Sequence, residues 1–190
     1  MNKTDLTMTQ LIDELKVTYS DVLSLGESNQ KMELMDGEFI MTAMPTPLHQ
    51  LIVVNLSAYL QPYVKQRKLG KVFASVDVYI SEITVLQPDI CFLSNERASI
   101  NDGKKFNGVP DLVVEILSES TERRDRTFKF REYAIGGAKE YWIVSPEKKE
   151  IEVYKNTERG FQLVKIFKPT DFLSTPLLNE ININITAVFE

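Results

Sequence analysis

Val109-Pro110-Asp111-Leu112-Val113-Val114-Glu115-Ile116-Leu117-Ser118 is the stretch on which the fold turns. From Leu112 to Leu117 every residue except Glu115 is apolar, the pattern of a central strand covered on both faces. A carboxylate there is the anomaly, because burying one without a partner is costly. The preceding apolar run, Val85 to Leu93, is interrupted at Pro88, which belongs at a strand end or on a sheet edge. Between the two runs, residues 94–108 carry Asn101-Asp102-Gly103 and Gly108 and read as a polar loop.

Upstream, Lys71 to Ile80 alternates in β-branched and aromatic residues and reads as a strand. Thr46-Pro47 supplies an N-cap and a first-turn proline, and Leu48, Leu51, Ile52, Leu56, Tyr59, Leu60 and Val64 repeat at helical spacing until Gly70. A long helix is expected over residues 47 to 68, with Pro62 inside it. Asp36-Gly37 joins the strands Met32 to Met35 and Glu38 to Thr42 as a tight hairpin. Residues 8 to 16 have the spacing of a short leading helix capped by Thr7.

Downstream, Ser120 or Thr121 caps a helix ending at Gly136-Gly137, with Phe128, Tyr133 and Ile135 able to face the core. Glu140 to Ser145 and Glu150 to Lys155 form a hairpin, Phe161 to Phe167 pairs next, and Thr186 to Phe189 closes with a short turn. This order predicts an α/β (α+β) fold, a mixed sheet flanked by helices with extra antiparallel hairpins. At 190 residues, 43% hydrophobic and 26% charged, the chain suits a single domain over residues 1–190.

No apolar run is long enough to span a bilayer, and Met1-Asn2-Lys3-Thr4-Asp5 lacks the layout of a secretory signal, so a soluble, cytoplasmic protein is expected. The one cysteine, Cys91, lies between Ile90 and Phe92 and reads as a small core residue. A net charge of -5 opposes tight non-specific binding to nucleic acid. Local basic clusters at Lys65-Gln66-Arg67-Lys68, Lys104-Lys105 and Arg123-Arg124-Asp125-Arg126 could still gather on one face for DNA, or be plain solvated surface.

Hard divalent cations such as Mg²⁺ take oxygen ligands, and Asp89 with Glu115 supplies two carboxylates if their strands lie side by side. Lys129 adds an ammonium that could offset negative charge on a phosphodiester and orient a water. Asp125, Lys129 and Tyr133 stand at helical i, i+4 and i+8, on one face. An ordinary surface Asp125–Lys129 ion pair accounts for the same spacing.

The string Gln87-Pro88-Asp89-Ile90, Val109 to Ser118, Ser120-Thr121, Arg124-Asp125, Lys129, Tyr133 and Glu140 to Val144, with Asp36-Gly37-Glu38 and His49, resembles the bacterial "Uma-two" family of restriction endonuclease-like proteins. That family belongs to the PD-(D/E)XK nuclease superfamily. The resemblance implies a restriction-endonuclease-like core and a Mg²⁺- or Mn²⁺-dependent endonuclease. Asp89, Glu115 and the main-chain carbonyl of Ile116 would hold the ion, with Asp89, Glu115, Lys129 and His49 as catalytic residues. The superfamily pattern places lysine two residues after the second acid, whereas this chain has Leu117. Lys129 on the following helix would then be the replacement.

His49 stands at a helix start where superfamily members often carry an accessory acid, so it could touch the metal-bound water or a phosphate, and a core or capping role is equally open. Glu38 is open between a ligand and a hairpin surface acid. Asp111 is expected to fix the start of its strand or to bond Arg124, and Tyr141 and Trp142 to be core residues, with base stacking as the other possibility. Many nucleases of the superfamily cut as dimers, so a homodimer through a C-terminal edge strand is a further expectation. Two other readings stand beside the nuclease. One is a catalytically degenerate nucleic-acid-binding or protein-interaction module whose carboxylates are held by Arg or Lys; the other is a two-carboxylate glycosidase, which leaves Lys129 without a purpose.

Overall fold

The structure is a computed structural model and describes residues 16–24, 26 and 31–190. The leading helix expected at residues 8 to 16 lies outside the described residues but for Lys16. In chain order, α1 (Tyr19–Ser24) precedes the hairpin β1 (Met32–Met35) and β2 (Glu38–Met41). Then come α2 (Pro47–Gln66), β3 (Gly70–Ala74), β4 (Val78–Ser81), β5 (Thr84–Leu86), β6 (Ile90–Ser94), β7 (Phe106–Asn107) and β8 (Leu112–Ile116). Helix α3 covers residues 122–135, and β9 (Glu140–Ser145), β10 (Glu150–Thr157), β11 (Gly160–Phe167), β12 (Phe172–Leu173), β13 (Ile183–Asn184) and α4 (Ile185–Val188) follow.

The central sheet has six strands in the order β11-β10-β9-β8-β6-β3. Only β8 and β9 within it run parallel, and α3 is the crossover that their parallel pairing requires. One face, carrying Ile90, Phe92, Leu112, Val114 and Ile116, packs against Ile52, Leu56 and Leu60 of α2 and against the C-terminal Ile181 to Phe189. The opposite face, carrying Cys91, Leu93, Val113 and Leu117, packs against Tyr133 of α3 and against the second sheet. That smaller sheet has the order β2-β1-β5-β4-β7. The β1–β2 turn uses Asp36 at φ 52° and Gly37 at φ 82°, both positive as a two-residue hairpin requires.

Two sequence expectations are corrected by this division. Lys71 to Ile80 is not one strand: β3 pairs with β6 in the central sheet, whereas β4 pairs with β5 and β7 in the smaller one. Ser75, at φ 50°, makes the break between them. Val85 to Leu93 divides in the same way, with Gln87-Pro88-Asp89 carrying the chain from β5 to β6. The two crossings lie side by side, joined by the Ser75 N–H to the Asp89 carbonyl at 3.3 Å. Alternation of side chains survives such a crossing, which is why it hides the change of sheet.

Smaller departures follow from local geometry. The 94–108 segment holds a 3-10 helix, Asn95–Ile100, and the short β7, which closes the smaller sheet. Helix α3 is continuous but its middle, Asp125–Lys129, is π-helical. Of its expected core residues Tyr133 is buried and Phe128 partly so, while Ile135 is 76% exposed. Leu48 and Leu51 at the start of α2 are also exposed.

Candidate active site

Asp89 is the last residue of the crossing that precedes β6. The register Ile90↔Val114 places it opposite Glu115, and strand alternation sends both side chains to the face that carries Cys91 and Val113. Asp89 Oδ2 accepts the Ile116 N–H at 2.8 Å and lies 3.1 Å from His49 Nε2, while Oδ1 is 2.9 Å from Lys31 Nζ. Burial pushes this carboxyl up. The His49 hydrogen bond, the Lys31 charge and the Ile116 N–H outweigh it and hold Asp89 well below the usual carboxylate range. His49 is placed for this contact by the start of α2, where Thr46 Oγ1 accepts the His49 N–H at 3.2 Å.

Glu115 Oε1 accepts from Lys129 Nζ at 3.1 Å and from the Tyr133 hydroxyl at 2.9 Å. Burial, with the charges of Asp125 and Asp89 added, exceeds the pull of Lys129 and pushes the Glu115 carboxyl up to about 8. Lys129 lies 2.9 Å from Glu33 Oε1, 3.1 Å from Glu115 Oε1 and 3.2 Å from Asp125 Oδ1. Burial would lower its pKa, but the charges of Glu115, Glu33 and Asp125 raise it well above the ordinary lysine value. Asp125 is buried beside Lys129, and burial raises its carboxyl against the opposing Lys129 charge. The Asp125, Lys129 and Tyr133 face expected from spacing therefore points inward at Glu115, from a helix whose π turn bears the first two.

Two residues of the cluster are absent from the sequence reading. Glu33 on β1 is buried, accepts the Gln87 N–H at 2.8 Å and pairs with Lys129. Lys31, just before β1, pairs with Asp89. Glu33 carried a usable signal, a lone acid in Met32-Glu33-Leu34-Met35 of the same kind as Glu115 in its run. Lys31 carried none, since a lysine ahead of a hairpin is ordinary surface composition.

The other candidates separate from the cluster. Glu38 is exposed on β2 opposite Met35. Asp111 is buried at the start of β8, where Oδ2 accepts the Ser94 N–H at 2.8 Å and Oδ1 lies 2.9 Å from Lys139 Nζ; its cation is Lys139, not Arg124. Trp142 is buried and donates to Glu140 Oε2 at 3.0 Å, and Tyr141 is buried and donates to the Asp125 carbonyl at 3.0 Å, so neither ring is available for stacking on a base. Cys91 is buried, and burial together with the Glu115 charge pushes its thiol far up, as for an inert core cysteine.

Lys31, Glu33, Asp89, Glu115, Asp125 and Lys129, with His49, line one cleft of about 1030 Å³. Four carboxyl groups thus face two ammonium groups, and burial together with this crowding of acids raises two of the four, Glu115 and Asp125. A divalent cation would favour the ionised form of both. An all-oxygen donor set richer in acids than in cations suits a hard divalent cation. Among the described residues no group of three or more His, Cys, Asp and Glu side chains is arranged to hold a metal ion. Mg²⁺ does not need such a cage, because it is held through one or two carboxylates and keeps water and phosphate in its other positions. Also among the described residues, no helix is long and apolar enough to cross a membrane.

Residues 19–186 match the Uma2 family, described as "Putative restriction endonuclease". Two proteins of Synechocystis sp., both described as uncharacterized, are 28% and 24% identical over 147 and 131 residues. The matches span 76% and 68% of this chain and 76% and 74% of those relatives. A crystal structure from Anabaena variabilis, described as a putative nuclease belonging to DUF820, superposes with a TM-score of 0.77 at 21% identity over 91% of this chain and 97% of that one. The likeness is one of fold, a mixed α+β architecture of the restriction-endonuclease-like type. By the extent of the match from Tyr19 to Thr186, the chain belongs to the Uma2 family.

Proposed function

We propose that the protein is a Mg²⁺- or Mn²⁺-dependent endonuclease that hydrolyses phosphodiester bonds in DNA. The observation that carries this reading is the placement of Asp89, just ahead of β6, opposite Glu115 on β8, inside a cleft where four carboxyl groups meet two lysines. Asp89, Glu115 and the Ile116 carbonyl would hold the cation. Bound there, it would activate water and offset charge developing on the phosphoryl oxygens.

The chain's own groups prepare that site. The Ile116 N–H and His49 fix Asp89 Oδ2, so the first carboxylate keeps one orientation relative to the strand that carries the second. Glu115 Oε1 is committed to Lys129 and Tyr133, and Oε2 accepts no hydrogen bond among the described residues. Lys129 supplies a fixed positive charge behind Glu115, favouring the ionised carboxylate and opposing negative charge built up in front of it. The same reading takes the chain as a single cytoplasmic domain that binds DNA through a local basic surface and works as a homodimer when both strands are cut.

A second reading, a degenerate member that binds nucleic acid or a protein without cleavage, draws on the Lys31–Asp89 and Lys129–Glu115 pairs, in which lysines already face the carboxylates. Calorimetric titration of the protein with Mn²⁺, alongside cleavage of supercoiled plasmid, separates the two. Binding and nicking that are both lost in Asp89→Asn and Glu115→Gln support the nuclease. Absence of Mn²⁺ binding near neutral pH supports the degenerate module, and undiminished cleavage by both variants sinks the site assignment.

A further inference from the structure

The two lysines of the cleft are unlike. Lys129 is 2% exposed and faces Glu33, Glu115 and Asp125, so its three N–H donors are directed at carboxylates. Lys31 is 23% exposed and meets one carboxylate oxygen, Asp89 Oδ1. Asp89 is divided in a matching way. Its Oδ2 is taken by the Ile116 N–H and His49, whereas among the described residues Oδ1 has Lys31 alone.

An ammonium on a carboxylate oxygen stands where a cation would bind. Lysine is a point charge on a flexible four-carbon stem, so it can leave that oxygen without moving its backbone. Like charges repel strongly at a few ångströms in a part-buried cleft, so Lys31 and a divalent cation would not share Asp89 Oδ1. Once displaced, the Lys31 ammonium stays beside the reacting group, with all three donors free. Lys129 has no such freedom.

We propose that Lys31 is a displaceable counter-ion: it neutralises Asp89 Oδ1 until a divalent cation takes that oxygen, and its released ammonium then binds a non-bridging oxygen of the substrate phosphate. The inference rests on the metal-dependent phosphodiesterase reading of the cleft. It divides the work of the two lysines, with Lys31 touching substrate and Lys129 acting through Glu115 as a positioning residue. The cation and the phosphate group then favour each other's binding, because each removes a cost of the other.

The test is Lys31→Met in the full chain, read by Mn²⁺ calorimetry without DNA and by plasmid cleavage. Loss of the competing charge is expected to tighten Mn²⁺ binding by on the order of fivefold or more. Loss of the phosphate contact is expected to lower kcat/KM by about 100-fold. Lys31→Arg, which keeps the charge, should show the affinity of the parent protein and recover part of the cleavage. Weaker or unchanged Mn²⁺ affinity in Lys31→Met overturns the proposal, as does cleavage at the parent rate. If the parent protein binds Mn²⁺ but cuts no DNA, the nuclease reading fails while the calorimetry still decides whether Lys31 competes for Asp89. If the parent binds no Mn²⁺, binding gained by Lys31→Met upholds the competition, and continued absence overturns it. Should Lys31→Met not fold, Lys31→Gln, which can still donate to Asp89 without a charge, carries the same expectations.

Discussion

Asp89 Oδ2 accepts the backbone N–H of Ile116 at 2.8 Å, so the first carboxylate of the cleft is tied to the strand that bears the second. The contact bridges β6 and β8 where the ladder reaches the Pro88 crossing, and it uses a residue of the central sheet as the anchor. Any movement of β8 relative to β6 would therefore shift Asp89 and Glu115 together.

Asp89→Asn tests that tie against the charge it carries. The amide keeps an oxygen for Ile116 but leaves Lys31 without its counter-charge, so a loss of about 1–3 kcal/mol in unfolding free energy is expected. Urea denaturation measures it. The heat of Mn²⁺ binding should vanish in the same variant; a normal binding isotherm would remove Asp89 from the ligand set.

Stability should vary with pH in two opposite ways. The Glu115 carboxyl is pushed from its ordinary 4.5 up to about 8 in the fold. Folded protein therefore keeps a proton that the unfolded chain releases, and this contribution, full below 4.5, is lost as pH rises through about 8. Asp89 is depressed below its ordinary 3.8, so its contribution is present above 3.8 and is lost as pH falls below it. Glu115→Gln should flatten the alkaline limb and leave the acid limb unchanged. Urea midpoints of both proteins across the two windows check this, and an alkaline limb that survives in Glu115→Gln counts against the assignment.

How far the cleft can be read from the sequence depends on which sheet each residue joins. Glu115 stood out because a lone carboxylate in a strand buried on both faces violates the local pattern, and Asp89 because it is a carboxylate beside Pro88, which marks a strand end, in the run that precedes that strand. Those two carboxylates, together with the preference of consecutive strands for adjacency, lead to the β6–β8 pair. Glu33 and Lys31 depend on a long-range fact, that the β1–β2 hairpin folds over the end of the central sheet. Asp36-Gly37 reveals the hairpin but carries no information about what it covers. The division of Lys71 to Ile80 and of Val85 to Leu93 between two sheets is hidden for the same reason, since periodicity fixes faces and not partners. The π turn in α3 is likewise illegible, because Asp125 and Lys129 at i and i+4 share a face in an ordinary helix too.

Lys129→Met should be the most damaging change in the cleft. It leaves Glu33, Glu115 and Asp125 buried around a neutral side chain, and breaking a buried ion pair from one side costs about 3–5 kcal/mol. The damage is electrostatic rather than a matter of volume, since methionine fills nearly the same space. Adding Asp125→Asn, which removes one of the stranded charges, should recover part of the loss. A double-mutant cycle on unfolding free energies measures the coupling, and strict additivity of the two changes would show that Asp125 and Lys129 are not an interacting pair.

Gly70→Ala separates the frame of the cleft from its chemistry. A Cβ at Gly70 would lie 2.0 Å from the Leu93 carbonyl oxygen and 2.8 Å from Ser94 Cα, so alanine must push β3 away from β6 at the Gly70↔Ser94 pair. Overpacking of this kind costs about 1–3 kcal/mol. Because β3 is an edge strand, the disturbance is expected to stay on its side of β6, while Asp89 remains held from the other side by Ile116. Hydrogen exchange should therefore speed up at the β3 amides while Mn²⁺ affinity stays at the parent value. A fall in Mn²⁺ affinity would mean that β3, through the Ser75 N–H on the Asp89 carbonyl, helps to set the carboxylate in place.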